Sequence, residues 1–164
     1  MKRLLLLSLF LSLFTFSSLG QELTTFILVR HAEKATDDPR DPSLSEAGKL
    51  RAGRLNKLLS PMDISAIYST AFKRTRNTVQ PIAESKSLQV EDYNYDNRLL
   101  LTQFLEKHQG GTIIISGHSN TTPMLVNQLI GERKFEWLDE KEYDKIFIVT
   151  LSELGKGKLS ILSY

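Results

Sequence analysis

Residues 26–35 read FILVRHAEKA. Four apolar side chains are followed at once by Arg30 and His31, then by Glu33 and Lys34 around Ala32. A short, continuous apolar run of this kind is the pattern of a strand buried on both faces, and the sudden charge marks its exit. A histidine beside a permanent cation is disfavoured in its protonated form, so the Arg30–His31 pair predicts a neutral, nucleophilic imidazole at the end of a buried strand.

Working outward from this stretch, strands and helices alternate. TTFILV ends at Arg30, and a polar loop rich in Asp and Pro spans Ala32 to Pro42. A helix then begins in SLSEAGKLRAGRLNKLL, where Ser43 and Glu46 form a capping-box pattern. ISAIYS (64–69) reads as a second strand and Phe72–Glu84 as a second helix, with Pro81 able to kink or shorten it. A weak strand near 88–91 and a helix over Asp96–His108 follow, the latter with Leu99, Leu100, Phe104 and Leu105 on one face and Gly110 and Gly111 as its stop. TIIIS is a buried strand that GHSNTTP turns into a helix, with Thr122 as N-cap and Pro123 at the first helical position. KIFIVTL and KLSILSY supply the last two strands. The expected fold is α/β, a mostly parallel central sheet with helices on both faces in three α/β/α layers. Ligands in such sheets bind beyond the carboxyl ends of strands, where Arg30 with His31 and Gly117 with His118 both fall.

The N-terminus is of another kind. MKRLLLLSLFLSLFTFSSLG has Lys2 and Arg3, an apolar run from Leu4 to Phe16, and small residues at Ser18 and Gly20. This is the pattern of a signal peptide over 1–20, with the folded domain over 21–164 and a periplasmic or secreted location. The run is short for a roughly 30 Å hydrocarbon core, so no stable membrane insertion is expected after cleavage. The chain holds 21 basic and 19 acidic residues. Removing Lys2 and Arg3 leaves the two signs equal, which gives no reason to expect a nucleic-acid partner. There is no cysteine, hence no disulfide, thiolate nucleophile or cysteine-ligated metal. Nothing in the sequence speaks to the oligomeric state.

RHAEK after the first strand, YSTAFKRTRNT after the second and SGHSNTTP after the fourth resemble, in order and spacing, the signature segments of the histidine phosphatase superfamily, also called phosphoglycerate mutase-like. With LSEAG they cover nearly all of 21–164. The resemblance implies that His31 is the nucleophile that becomes phosphorylated. It implies that Arg30 and Arg74 clamp the phosphate, that His118 is the second catalytic histidine, and that Ser119 and Asn120 line the phosphate site. It implies no cofactor and no metal, and a small phosphorylated substrate or a phosphoprotein as partner. Physical reasoning reaches the same place: a phosphoryl group in transit carries charge over three equatorial oxygens, which planar guanidinium forks and helix-start N–H groups can hold. A neutral imidazole attacks in line and water hydrolyses the phosphohistidine.

Two positions depart from the family pattern. Ala32 stands where many members have glycine, and Asp37 where many have asparagine, so that a carboxylate aimed at the phosphate would repel it. Many phosphomonoesterases of this family protonate the leaving alkoxide from a Glu or Asp after the third strand; Glu91, Asp92 and Asp96 are the candidates for a general acid here. In size the chain resembles the compact phosphohistidine-phosphatase branch, whereas a leader argues against a cytoplasmic substrate. A phosphatase acting on a phosphomonoester, phosphoanhydride or phosphoramidate is the expected function. The alternatives are a non-catalytic phosphate-binding module and, weaker still without long inserts, a mutase. A metal site built from His31, Glu33 and His118 would place a dication against Arg30. Elsewhere His108 is expected to favour a helix C-terminus, Arg76 and the Glu33–Lys34 pair to be solvated, and Gly117 to serve a tight turn.

Overall fold

The computed structural model describes residues 22–164, so the predicted leader lies outside the described residues. Ten elements follow in order: β1 (Thr24–Arg30), α1 (Glu46–Leu59), β2 (Ala66–Ser69), α2 (Lys73–Lys86), β3 (Val90–Asp92), α3 (Leu100–Lys107), β4 (Thr112–Gly117), α4 (Thr121–Ile130), β5 (Lys145–Leu151) and β6 (Lys158–Ser163). They build one six-stranded sheet in the order β3-β2-β4-β1-β5-β6. The first four strands in that order run parallel, and β5 and β6 close the sheet antiparallel.

The apolar run 26–29 is central and wholly buried, and its alternation sorts the two cores. Phe26 and Leu28 join Ile113 and Ile115 under α3 and α4, where Phe104, Leu125 and Leu129 pack. Ile27 and Val29 join Ile67 and Ile114 under α1 and α2, where Leu55, Leu59, Val79 and Ile82 pack. Three layers result, as expected. Among the described residues no helix is long and apolar enough to cross a membrane.

Several boundaries differ from the sequence reading. Helix α1 is capped by Ser45, whose side chain accepts from Gly48 N at 3.1 Å, and not by Ser43. The bridge between Lys34 and Leu44 keeps that stretch extended, so the helix starts after it. Gly48 has no room for a side chain because the backbone of Glu33 lies against it. Helix α2 continues through Pro81 to Lys86. Helix α3 begins at Leu100 rather than Asp96, since Asn94 and Asn97 turn the preceding chain by accepting from Asp96 N and Leu99 N. Leu99 is therefore 61% exposed and off the buried face. Helix α4 begins at Thr121 with Asn120 as its cap, two residues before the expected cap Thr122. Pro123 is then its third residue, still within the turn whose N–H groups lack helical partners.

Because β5 runs against β1, with Val29 opposite Ile146, the segment between α4 and β5 arrives at the carboxyl end of β1. The exits of β1, β2 and β4 and this return segment thus share one end of the sheet.

Candidate active site

His31 follows β1 and is 5% exposed. Its Nδ1 lies 2.8 Å from the carbonyl oxygen of Ala32. A carbonyl only accepts, so Nδ1 carries the proton and the lone pair sits on Nε2. Ala32 is itself fixed, its N–H donating to Thr78 Oγ1 at 2.9 Å, while Thr78 donates to Arg74 O at 2.7 Å.

His118 follows β4, and its ring centroid is 5.5 Å from that of His31, edge-on. Its Nε2 is 2.9 Å from Thr70 Oγ1. Thr70 donates to Thr75 Oγ1 at 3.0 Å, and Thr75 donates onward to the carbonyls of Thr70 and Phe72. With each hydroxyl proton engaged down this chain, His118 Nε2 is the donor to Thr70, leaving Nδ1 to face Arg74 Nη2 at 3.5 Å. The His118 N–H donates to Thr121 Oγ1, and Thr122 Oγ1 donates to Val29 O, tying this loop to α4 and β1. Gly117 allows the turn, because a Cβ there would lie 2.7 Å from Thr121 Oγ1.

Arg74, in the first turn of α2, stacks on Phe72 with its guanidinium carbon 4.5 Å from the ring centroid and faces Asp41 at 3.6 Å. Asp41 also accepts from Lys73 N at 3.0 Å. Arg30 is 3% exposed and is held by the return segment: Nη1 donates to Asp139 O at 2.5 Å and Glu142 O at 3.1 Å, Nη2 lies 3.4 Å from the Glu140 carboxylate, and the group stacks on Tyr143. Its Nε is buried with no partner among the described residues, a donor that an anion could satisfy.

Burial holds both imidazoles neutral, His31 down to about 3 and His118 to about 4. Arg30 and Arg74 add to the shift in each case. The sequence reading named the arginine as the reason for a neutral ring; burial is the larger cause. Unfolded histidines protonate near pH 6.5. As pH falls below that value the unfolded chain takes up protons that the folded site refuses, so stability is lost from about pH 6.5 towards pH 4. His31 alone accounts for about 3 kcal/mol at pH 4, at about 1.4 kcal/mol per unit of displacement. Denaturant midpoints at pH 7.5 and 4.5 should therefore fall more steeply in the wild type than in His31→Asn. An equal fall would place the lost stability elsewhere.

Arg30, His31, Arg74 and His118 are brought together, as expected. Ser119 and Asn120 line the cavity of about 300 Å³ that contains Arg74 and His118. Asn120 Oδ1 is engaged in capping α4, however, accepting from Thr121 N at 2.9 Å. Asp37 does not face the cluster; it accepts from Ser43 N and Oγ. Glu91 pairs with Lys107 and Asp92 with Arg76, so neither carboxylate is free, and Arg76 is not merely solvated. Asp96 lines a second cavity beside the first. Glu33 binds Arg51 bidentately, away from the histidines, instead of pairing with Lys34 in solvent. Among the described residues no group of three His, Cys, Asp or Glu could hold a metal ion. His108 bonds Tyr68 through Nε2 at 2.8 Å, and burial lowers its pKa, which overturns its reading as a helix-end cation.

The sequence reading missed Thr70, Thr75 and Thr78, and the Asp139–Tyr143 strap. The threonines lie in YSTAFKRTRNT, where three buried hydroxyls near one arginine are a weak but available signal. The strap carries no motif.

Sheet order, paired histidines and two converging arginines define a buried, cationic α/β site at the carboxyl ends of the parallel strands. The family model for the Histidine phosphatase superfamily (branch 1) matches residues 26–99. Phosphoserine phosphatase 1 of Hydrogenobacter thermophilus is 36% identical across 50% of this chain and 46% of its own length. The match thus spans about half the length of that curated relative. In fold, the chain is similar to the protein histidine phosphatase SixA complexed with tungstate, at TM-score 0.69 and 19% identity, covering 85% of this chain and 96% of SixA. It is likewise similar to mycobacterial glucosyl-3-phosphoglycerate phosphatase, at TM-score 0.70 and 12% identity, covering 87% and 98%.

Proposed function

We propose that the chain is a metal-independent phosphatase acting through a phosphohistidine on His31. The observation that carries this is the 2.8 Å bond from His31 Nδ1 to Ala32 O, which leaves Nε2 unprotonated beside His118 and Arg74. In the first step Nε2 forms a bond to phosphorus as the bond to the leaving group breaks, and the leaving group departs with the electron pair and takes up a proton. In the second, water attacks phosphorus, the N–P bond breaks, and inorganic phosphate leaves with the neutral imidazole restored. His118 and the two guanidinium groups hold the equatorial oxygens through both steps, in a site where burial strengthens each contact.

The relatives' names support phosphorylated substrates, a phosphoserine in one case and a phosphohistidine protein in another. An ester, an anhydride and a phosphoramidate all fit the first step. Hydrolysis of an aryl phosphate should proceed with no added metal and persist in excess chelator, because the guanidinium groups supply the positive charge that metalloenzymes take from a cation. Activity lost to chelator and restored by a divalent ion would overturn this reading.

The alternative of a non-catalytic phosphate-binding module draws on one feature, the strap that already engages both terminal nitrogens of Arg30. The same assay discriminates, since a binding module would bind inorganic phosphate and turn over nothing.

Export completes the proposal, with residues 1–20 as a cleaved leader, the domain over 21–164, and a periplasmic or extracellular location. It rests on the basic start, the apolar run and the small residues Ser18 and Gly20. The mass of the exported protein should correspond to a start at or near Gln21, and a start at Met1 would refute cleavage.

A further inference from the structure

The cavity holding Arg74 and His118 does not end at the phosphate-binding cluster. A second cavity of about 450 Å³ adjoins it, and the two share Tyr95, Asn120, Thr121 and Trp137 as walls. Trp137 is 75% exposed and Tyr95 41% exposed. Neither belongs to the core clusters, and both stand on the wall that the two cavities share.

The segments that present them are pinned. Leu138 N donates to Ser119 O at 2.9 Å, and Asn127 Oδ1 accepts from the backbone of both Lys134 and Phe135. On the other side, Asn94 Oδ1 accepts from Asp96 N, fixing the turn that carries Tyr95. The backbone that carries each ring is therefore held in place before any ligand arrives, which removes part of the ordering cost of binding.

Two polar groups of the wall are already engaged. Asn127 Nδ2 donates to Phe135 O while its oxygen holds the same loop, and Asn120 Oδ1 caps α4. Arg133 pairs with Glu136. Pro123, Met124 and Phe135 supply apolar surface to the same cavity. Asp96 and Gln128 also line the cavity and can meet polar substituents, while an aromatic ring would bury its faces on Tyr95 and Trp137.

We propose that this second cavity is the leaving-group subsite, that Tyr95 and Trp137 determine specificity at its mouth, and that it selects phosphate compounds whose leaving group is an aromatic ring. The proposal rests on the phosphatase reading of the adjoining site, and a binding experiment separates the two. Phenylphosphonate and methylphosphonate carry the same non-hydrolysable head group and differ in the ring. Trp137 is the chain's single tryptophan and walls both cavities, so a shift with phenylphosphonate beyond that with methylphosphonate reports on the ring.

The expected result is that phenylphosphonate binds the wild-type protein at least tenfold more tightly than methylphosphonate and shifts Trp137 emission. By calorimetry, Trp137→Ala and Tyr95→Ala should each bring that preference below threefold, while Trp137→Phe should retain most of it. Substitution of exposed side chains spares the core, and circular dichroism confirms that each variant is folded. Equal affinity of the two phosphonates, unchanged Trp137 emission, or a glycosyl phosphonate binding as tightly as phenylphosphonate would each overturn the subsite. Selective binding without turnover of any phosphate would instead sink the phosphatase reading and leave the subsite standing. Turnover with no preference for the ring would do the reverse.

Discussion

His31→Ala lowers aryl phosphate turnover by a factor on the order of 10³ or more, while the folded domain keeps much of its affinity for inorganic phosphate. The side chain is buried and neutral, and its removal takes away the Nε2 lone pair that the bond from Nδ1 to Ala32 O leaves available. Arg74, His118 and the buried Nε of Arg30 remain to bind an anion. Quenching the wild-type enzyme during turnover should trap acid-labile, base-stable phosphate on a peptide containing His31, as a phosphoramidate requires. Phosphate on Ser69 or Ser119, or substantial activity in His31→Ala, would make His31 a structural neighbour of the arginines and nothing more.

Arg74→Lys should cost about 10²-fold in kcat/KM, or about 2.7 kcal/mol of transition-state stabilisation. Arg74 makes three contacts at once: it stacks on Phe72, faces Asp41 and reaches His118 Nδ1. A planar fork can hold these and still grip two phosphate oxygens, whereas an ammonium is a single point of charge on a flexible stem. The variant should remain folded, since Thr75 and Thr78 on the same helix carry the buried hydrogen bonds. Near-wild-type kcat/KM in Arg74→Lys would show that the site asks only for positive charge.

The cluster was legible because its parts lie at chain positions that the topology makes equivalent. FILVRH and TIIISGH are both continuous apolar runs ending in a histidine, and parallel strands place their exits side by side, as the pairing of Arg30 with Gly117 confirms. Arg74 follows the next strand over by the same logic. Helix caps were less legible, since SLSEAG offers two serines and the choice between Ser43 and Ser45 depends on a bridge to Lys34, outside the helix altogether. The carboxylates were least legible. Glu91 and Asp92 carry no mark that Lys107 and Arg76 engage them, because partners across helices and strands are set by packing and not by spacing.

By itself, then, the sequence determined the layer order, the strand exits and the four residues that converge there, since buried apolar runs and their abrupt ends are local in the chain. Only the tertiary structure decided what surrounds them. It decided which nitrogen of His31 carries the proton, through a carbonyl one residue away, and which nitrogen of His118 does, through a relay of threonines on another loop. It decided that burial, more than the neighbouring arginine, keeps both rings neutral. The antiparallel return of β5 lays Asp139–Tyr143 against Arg30 and sets Trp137 opposite Tyr95 across the cavity mouth. Each of these depends on groups far apart in sequence meeting at distances of a few ångströms, which no local pattern encodes.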